Sequence, residues 1–300
     1  MREKVVITGA TGFVGSNLTK YLFKKNKEVY LIARPKSDIT FLEKYNENLH
    51  VFRYDNDVNK LISFFNEVQP ECVFHLASNF IAEHNSSQID SLIKSNITFG
   101  LHLLEAMKEA GVKKLVNTGT SWQHYNNEDY NPVCLYAATK QAFESLIEYY
   151  MQAENFKVIT LKLFDTYGET DTRPKLINLL NKFADEQIEL NMSQGEQILN
   201  LVHVNDVCRA FNSAYELLTK EDKACHLKFA VANEKSYSLR EVINIFESVT
   251  NKKINIIWGG KPYRKREVMK LWNKRENLHN WKPVISLEEG FKLFKNLKIK

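Results

Sequence analysis

Cysteine, glycine and proline are scarce in this chain, and no apolar run is long. The 4 cysteines are widely separated and form neither a C-x-x-C pair nor a Cys/His cluster, so we expect buried free thiols and no metal site. No segment approaches the roughly 18 uninterrupted apolar residues of a membrane-spanning helix. The first residues lead into Val5–Ile7 without the apolar core of a signal peptide. These absences predict a cytoplasmic protein that does not bind a membrane.

The composition is otherwise that of an ordinary globular protein. Of the 300 residues, 44% are hydrophobic and 26% are charged, which argues against disorder. The net charge of +5 is uneven, because residues 251–300 hold 14 Lys and Arg against 4 Asp and Glu, whereas residues 1–250 hold 27 against 32. The basic residues near the C-terminus are dispersed among aromatic residues. We therefore expect a solvated face with one or two phosphate contacts, and no nucleic-acid binding.

Short apolar runs alternate with helix-length segments through the first two thirds of the chain. Strands buried on both faces and joined by helices are typical of right-handed βαβ units. We predict an α/β fold, namely a Rossmann-like doubly wound parallel sheet with a smaller C-terminal substrate domain. The predicted strands are Lys4–Thr8, Glu28–Ala33, Leu49–Tyr54, Cys72–Ala77, Lys114–Gly119 and Lys157–Leu163, and the predicted helices are Phe13–Lys25, Asp57–Val68, Asp90–Ala110 and Val133–Ala153.

The pattern is less regular after residue 168. We assign residues 1–168 to a dinucleotide-binding domain, to which 196–232 return, and residues 169–195 and 233–300 to a substrate-binding region. The predicted elements here are a helix over Lys175–Asp185, a strand over Leu199–Val204, a helix capped by Asn205 or Asp206 that reaches Leu218, a strand over His226–Ala232, a helix over Leu239–Val249 with a capping box of Ser238 and Glu241, a strand over Ile254–Trp258 and a terminal helix opened by Ser286.

Glycine is concentrated directly after the first predicted strand. The chain has 11 glycines where ordinary usage would give about 21, yet Gly9, Gly12 and Gly15 fall within one short segment that opens a helix. In a dinucleotide fingerprint, such glycines permit a tight turn, close approach of the pyrophosphate and close packing of helix on strand. The pyrophosphate then meets free N–H groups at the positive helix end. We predict a dinucleotide site here.

The end of the second predicted strand indicates which dinucleotide is bound. NAD sites usually place Asp or Glu there, whereas NADP sites supply an arginine for the 2′-phosphate. This chain has Arg34, followed by Lys36 and Ser37, and no carboxylate, so we predict NADPH, with NAD as the alternative. Asp55 is expected to meet the adenine. Ala77 and Ser78 are expected to line the cofactor trough.

Tyr136 and Lys140 stand four residues apart in a predicted helix, on one face. A lysine cation and the positive nicotinamide of an oxidised cofactor favour the phenolate, so we expect a lowered pKa for Tyr136, which would act as general acid or base. The pair follows a strand that ends with the hydroxyls of Thr118, Thr120 and Ser121 at the carboxyl edge of the sheet.

These motifs resemble the extended short-chain dehydrogenase/reductase family, also called the NAD-dependent epimerase/dehydratase family. The resemblance covers essentially the whole chain, including the segments Leu163–Gly168, Leu201–Val207 and Trp281–Pro283. It is strongest to nucleotide-sugar 4-ketoreductases similar to CDP-abequose and CDP-paratose synthases. The resemblance implies that Ser121, or else Thr118 or Thr120, hydrogen-bonds the sugar C4 oxygen, that Tyr136 exchanges its proton, and that Lys140 holds the nicotinamide ribose.

Two departures from related subfamilies narrow the reaction. The 4,6-dehydratases have Asp-Glu after the active-site Thr, whereas Ser121 is followed by Trp122 and Gln123. The 3,5-epimerase/reductases have a Cys beside the Ser, and Cys134 is on another segment. The resemblance therefore implies reduction of a nucleotide-linked 4-keto-6-deoxyhexose, in deoxysugar and lipopolysaccharide O-antigen biosynthesis. The alternatives are a nucleotide-sugar 4-epimerase and a non-catalytic NAD(P)-binding regulator or scaffold.

The substrate end is less clearly marked. Many relatives carry an Arg before the strand ending at His203, where this chain has Ile198–Asn200. Trp122, His124 and Tyr125 are candidates for the border of the sugar site, and a homodimer through Asp90–Ala110 and Val133–Ala153 is expected. The predicted cofactor-binding residues are Gly9, Thr11, Gly12, Phe13, Val14, Gly15, Arg34, Asp55, Ala77, Ser78, Tyr136 and Lys140, and the predicted substrate-binding residues are Thr120, Ser121, Trp122, Arg173, Lys175, Arg264 and Arg266, with Arg266 preferred for the diphosphate.

Overall fold

The computed structural model describes residues 2–42 and 49–295. Residues 1, 43–48 and 296–300, which fall within the two predicted regions, lie outside the described residues. The strands are β1 (Lys4–Thr8), β2 (Glu28–Ala33), β3 (Leu49–Arg53), β4 (Cys72–His75), β5 (Lys114–Thr120), β6 (Lys157–Leu163), β7 (Asp165–Tyr167), β8 (Leu190–Met192), β9 (Ile198–Leu199), β10 (Leu201–His203), β11 (Cys225–Val231), β12 (Tyr237–Ser238) and β13 (Ile256–Trp258). The helices are α1 (Phe13–Lys24), α2 (Val58–Val68), α3 (Ile89–Ile93), α4 (Phe99–Glu109), α5 (Leu135–Glu154), α6 (Leu176–Glu186), α7 (Val204–Leu218), α8 (Leu239–Thr250) and α9 (Leu287–Lys295).

The central sheet has seven parallel strands in the order β11-β6-β5-β4-β1-β2-β3. Strand β1 pairs with β2 on one side and with β4 on the other, so the strand order reverses at that point. Ligands of doubly wound sheets bind at the carboxyl ends of the strands beside such a reversal. The predicted Rossmann-like α/β fold is confirmed, and it places the expected site at the carboxyl ends of β1, β4 and β5.

Helices cover both faces of this sheet because its strands are apolar on both sides. In β1, Val5 and Ile7 belong to the core under α1 and α7, whereas Val6 belongs to the core under α2, α4 and α5. A third core joins α6, α8 and α9 through Leu180, Phe246 and Phe291. Three small two-stranded sheets, β10-β7, β12-β9 and β13-β8, flank the main sheet.

The segment around Asn200 differs from the predicted single strand. Asn200 separates β9 from β10, because its buried side chain donates to the carbonyl of Asn233 (2.9 Å) and accepts from the Asn233 N–H (2.7 Å). The predicted caps of α7 are also wrong. His203 caps that helix by accepting from the Asn205 N–H, while the Asp206 carboxylate accepts from the N–H groups of Val284 and Ile285 (3.0 and 2.9 Å).

The long predicted helix over Asp90–Ala110 is interrupted. A π-helical turn over Lys94–Thr98 separates α3 from α4 and contains the buried Asn96. Such π-bulges occur frequently at functional sites. By contrast, the capping box of Ser238 and Glu241 at the start of α8 is confirmed.

Candidate active site

The glycine-rich turn forms a cradle between β1 and α1. Gly9 has a φ of +75°, and a Cβ at this position would lie 2.6 Å from the backbone nitrogen of Ala77. A Cβ on Gly15 would overlap the carbonyl of Gly9, so α1 and the turn are in close contact. The N-terminus of α1 has no side-chain cap. These features fit the pyrophosphate of a dinucleotide, which needs bare backbone and free N–H groups at a helix start.

A cavity of about 400 Å³ runs from this cradle along the carboxyl edge of the sheet. It ends against the N-terminus of α6, in the region assigned to the substrate. The cavity therefore joins the predicted cofactor and substrate sites. The predicted site residues on its lining are Gly9, Gly12, Phe13, Val14, Gly15, Ser78, Thr118, Thr120, Ser121, Trp122, Tyr136, Lys140, Arg173 and Lys175.

Several predicted residues are not on this lining. Thr11 and Arg34 are exposed, and Arg34 lies at the end of β2. Asp55 is exposed and its carboxylate lies 2.6 Å from Lys60 Nζ. The backbone of Ala77 lies behind Gly9. Arg266 is removed from the cavity, since its guanidinium stacks over Tyr125 at 4.2 Å and donates to Asn131.

Tyr136 and Lys140 lie on α5, one turn apart and both buried. Burial raises the pKa of Tyr136 to about 12, against a smaller opposing effect of the Ser78 side chain. Burial also lowers the pKa of Lys140 to about 8, and the Glu144 carboxylate opposes that change. In the chain alone the Tyr136 pKa is therefore raised, because burial disfavours the phenolate more than neighbouring charges favour it. The expected lowering beside an oxidised nicotinamide stays a prediction. At neutral pH, the Tyr136 phenol is therefore protonated.

The three candidate hydroxyls differ in how they are engaged. The Thr120 hydroxyl accepts from the Trp122 N–H (3.2 Å), as the cap of a short 3₁₀ turn over Ser121–Gln123. The Thr118 hydroxyl is buried without a hydrogen-bond partner among residues 2–42 and 49–295. Ser121 lines the cavity, and within the same residues no group hydrogen-bonds its side chain. The Ser121 hydroxyl is thus available to a ligand.

Asn96 is a site residue that the sequence analysis missed. Its amide oxygen accepts from the Asn79 N–H (2.7 Å), and its amide nitrogen donates to the Asn79 carbonyl (3.1 Å) and to Thr139 Oγ1 (2.9 Å). These bonds fix the loop after β4 against α5, beside Tyr136. The sequence signal for this residue was a polar side chain on the apolar face of the helix, in line with Leu92 and Leu103.

Phe80, on the loop after β4, was also missed. Its ring meets Tyr136 edge-on at 5.0 Å between centroids, and Trp122 lies 5.6 Å away. Lys175 Nζ is 3.8 Å from the same ring. Phe80 thus packs between the rings of Tyr136 and Trp122.

The four predicted substrate cations are not equivalent. Arg173 is paired with Asp171 (2.7 Å), and Arg264 is paired with Glu267 (2.6 Å). Arg264 lies at a smaller adjoining cavity of about 60 Å³ that Trp122, His124 and Tyr125 also line. Lys175 lines the main cavity, and in the described part of the chain its ammonium has no hydrogen-bond acceptor and no ion-pair partner within 4 Å, although the Asp165 and Asp171 carboxylates on the same lining favour its charge. Lys175 is therefore the best-placed free cation of the four.

The comparisons with known proteins agree with this geometry. The family model described as "NAD dependent epimerase/dehydratase family" matches residues 5–226. The chain belongs to that family. The CDP-abequose synthase of Salmonella muenchen is 26% identical over 99% of this chain and 99% of its own length. The UDP-glucuronate 4-epimerase of Thermodesulfobacterium geofontis is 26% identical over 96% of this chain and 93% of its own length.

A solved structure agrees as well. UDP-glucose-4-epimerase from Stenotrophomonas maltophila, with bound NAD and formylated UDP-arabinopyranose, aligns with a TM-score of 0.86 at 19% identity, over 98% of this chain and 97% of its own. That similarity establishes the shared fold. Family membership and the glycine cradle together support an NAD(P) dinucleotide as cofactor.

None of the helices in residues 2–42 and 49–295 combines the length and apolar character needed to cross a bilayer. Within the same ranges, no group of three or more His, Cys, Asp and Glu side chains is close enough to hold a metal ion.

Proposed function

We propose that the protein reduces the 4-keto group of a nucleotide-linked 4-keto-6-deoxyhexose with NADPH. The observation that carries the proposal is the juxtaposition, on one cavity beside the dinucleotide cradle, of protonated Tyr136, buried Lys140 and the unengaged hydroxyl of Ser121. The similarity to CDP-abequose synthases supports a nucleotide-linked deoxysugar as substrate. The role that we propose is in deoxysugar and O-antigen biosynthesis, in the cytoplasm. Residues 1–168 with 196–232 would bind the dinucleotide, and 169–195 with 233–300 the substrate.

The end of β2 supports NADPH over NAD. Arg34 is exposed there and free to meet a 2′-phosphate, and Lys36 and Ser37 follow. Arg53 fixes this loop by donating to the carbonyls of Arg34 (3.1 Å) and Ser37 (2.6 Å). The nearby carboxylate of Asp38 is engaged by Thr40. An arginine fork suits a phosphate dianion, whereas a carboxylate would repel it.

Each of the three residues on the cavity would have its own role in the reduction. When bound, the dinucleotide supplies the hydride that reduces the carbonyl carbon. Ser121 would donate a hydrogen bond to the C4 oxygen, and Tyr136 would donate its phenolic proton to that oxygen as negative charge develops on it. Lys140 would hold the nicotinamide ribose through its ammonium. The high pKa of Tyr136 suits this direction, because the phenol is protonated before each turnover.

The substrate diphosphate would lie toward α6. Lys175 lines the cavity there, and its ammonium has a lowered pKa because of burial. Phosphate oxygens would satisfy this ammonium and the free N–H groups that begin α6. We therefore prefer Lys175 to Arg266 as the diphosphate ligand, with Arg173 and Arg264 at the edges and Trp122 against the sugar.

A 4-epimerase is the second candidate. It is favoured by the similarity to UDP-glucuronate 4-epimerase and by structural neighbours that bind NAD. The two candidates differ in cofactor, since an epimerase retains its dinucleotide and a reductase consumes it. A pure regulator or scaffold would have no use for a proton donor at Tyr136.

The cofactor preference can be tested by direct binding. We expect the Arg34→Ala variant to bind NADPH about 10-fold to 100-fold more weakly, because a charge-assisted hydrogen bond is lost, and to bind NADH with unchanged affinity. Fluorescence titrations with NADPH and with NADH measure the two dissociation constants. Lys25→Ala, at an exposed position beyond the end of α1, is the control and should bind both like the wild type. Unchanged NADPH affinity in Arg34→Ala would remove the main support for a reductase.

A further inference from the structure

A buried group of charged and polar side chains lies behind the proposed catalytic residues. Glu144 follows Lys140 by one turn of α5, and both side chains are almost fully buried. Lys162 projects from β6, is also buried, and places its Nζ 3.6 Å from Glu144 Oε2. Apart from this ion pair, Glu144 Oε2 has no hydrogen-bond partner within the described residues. Burying a carboxylate is costly unless it is both paired and hydrogen-bonded, so the partners of Glu144 indicate what it does.

Glu144 is connected to the turn that carries the catalytic hydroxyls. Its Oε1 accepts from Gln123 Nε2 (2.8 Å), and Gln123 Oε1 accepts from the Thr120 N–H (3.0 Å). Gln123 thereby closes the capping box of the 3₁₀ turn that contains Ser121. Gln123 Nε2 also donates to Gln141 Oε1 (2.7 Å), so two side chains of α5, Gln141 and Glu144, hold the end of β5 through Gln123.

Glu144 is also the anion that acts on Lys140. Its negative charge favours the Lys140 ammonium, which burial disfavours. Among residues 2–42 and 49–295, no second carboxylate acts on Lys140. On β4, His75 is neutral because burial lowers its pKa to about 3, and after β5, His124 is neutral because burial lowers its pKa to about 4. Lys162 contributes a further positive charge, and Tyr136 is protonated.

We propose that Glu144 is a positioning residue that holds the two halves of the active site together, fixing the Thr120–Ser121 turn through Gln123 and keeping the Lys140 ammonium charged. The inference rests on the role proposed above for Lys140. It predicts that removal of the charge and removal of the hydrogen bond have separable effects. A residue that served stability alone would affect neither the pH profile nor the low-pH rate.

The test compares Glu144→Gln with Glu144→Ala. Glu144→Gln keeps an acceptor for Gln123 and removes only the charge. NADPH affinity should fall at alkaline pH as Lys140 loses its proton, and we call this fall the alkaline limb. In Glu144→Gln the limb should move to lower pH by about one unit. Glu144→Ala should shift that limb equally. It should also lower turnover at pH 6 by about 10-fold, because Gln123 loses one of its two acceptors on α5 and the turn is held less firmly. NADPH affinity is measured by fluorescence from pH 6 to 10.

Glu148→Gln is the matched control. Glu148 lies one turn further along α5 and is bonded to His226 and Lys228, so its loss should leave the limb unmoved. If Glu144→Gln folds poorly, the double variant Glu144→Gln/Lys162→Met removes both charges of the ion pair. Its limb is compared with that of Lys162→Met alone and should lie at lower pH.

Three results would decide the matter. The proposal would be overturned if the limb in Glu144→Gln coincided with the wild type within about 0.2 pH unit, or if the limb in the double variant coincided with that of Lys162→Met. A shift in Glu148→Gln as large as that in Glu144→Gln would also overturn it. Because binding needs no sugar, failure of the reductase assignment leaves this test readable. A wild type with no alkaline limb would instead refute the role of Lys140, and the inference with it.

Discussion

Tyr136 is the residue on which the proposed chemistry depends most. Its neighbours are apolar rings and the Ser78 side chain, and burial keeps its phenol protonated through the physiological pH range. A buried phenol on a ligand cavity suits the donation of a proton to an oxygen that gains negative charge.

Replacing this phenol should abolish most turnover. We expect Tyr136→Phe to lower kcat by about 100-fold to 10,000-fold, since general acid catalysis is lost, and to leave NADPH affinity within a few-fold. Steady-state assay with a nucleotide-linked 4-keto-6-deoxyhexose measures the effect. Tyr149→Phe, an exposed tyrosine on the same helix, should retain wild-type turnover. An unchanged kcat in Tyr136→Phe would show that another group delivers the proton.

Local patterns predicted individual residues best where the backbone itself makes the site. The glycine turn and the Tyr136–Lys140 pair could be predicted from the sequence, because their residue spacing determines a turn and a helix face. The preference for Lys175 over Arg266 as a diphosphate ligand could not be predicted from the sequence, because it depends on contacts between distant segments. Arg266 donates to Asn131 and stacks over Tyr125. The raised pKa of Tyr136 in the chain alone was not predictable for the same reason, since it comes from burial, to which residues of other segments such as Phe80 contribute.

At the scale of elements, the junction of α7 with the C-terminal segment has the clearest energetic signature. The Asp206 carboxylate is fully buried, accepts two backbone N–H groups and pairs with Arg209 (3.1 Å). Trp281 Nε1 also donates to the Asp206 carbonyl (3.0 Å). This residue fastens residues 281–285 to the start of α7.

Removing the Asp206 carboxylate should therefore destabilise the fold. We expect Asp206→Ala to lower the free energy of unfolding by about 3 kcal/mol, because the N–H groups of Val284 and Ile285 and the Arg209 guanidinium lose their buried acceptor. Denaturant unfolding measures this loss. Asn205→Ala, at the exposed neighbouring position, should change the value by less than about 0.5 kcal/mol. Equal losses in the two variants would show that the sequence-predicted cap, and not the observed clamp, governs this helix.

The sequence predicted the existence of elements better than their interruptions. The strands of the main sheet and the helices that cover it follow from their apolar periodicity. The π turn at Asn96 and the break at Asn200 do not, because each exists to satisfy hydrogen bonds with segments far along the chain.

At the scale of the whole molecule, a second copy is expected on the face formed by α3 and α5. Ile93 is 42% exposed and Tyr149 is 60% exposed on these helices. Light scattering should give twice the chain mass of 35.0 kDa, and the Ile93→Glu/Tyr149→Glu variant should give the monomer mass, since two charges would be buried at the interface. Ile188→Glu, at an equally exposed position elsewhere, should remain dimeric. A monomeric wild type would contradict this expectation.

The central claim is net reduction at C4, and one measurement tests it directly. The purified protein is mixed with NADPH and CDP-linked 4-keto-6-deoxyglucose, NADPH consumption is followed by absorbance, and the sugar is identified by NMR. We predict one NADPH oxidised for each C4 hydroxyl formed, with NADH far less effective. Interconversion of 4-epimers of a nucleotide sugar, with bound NAD and no net consumption of NADPH, would contradict the account.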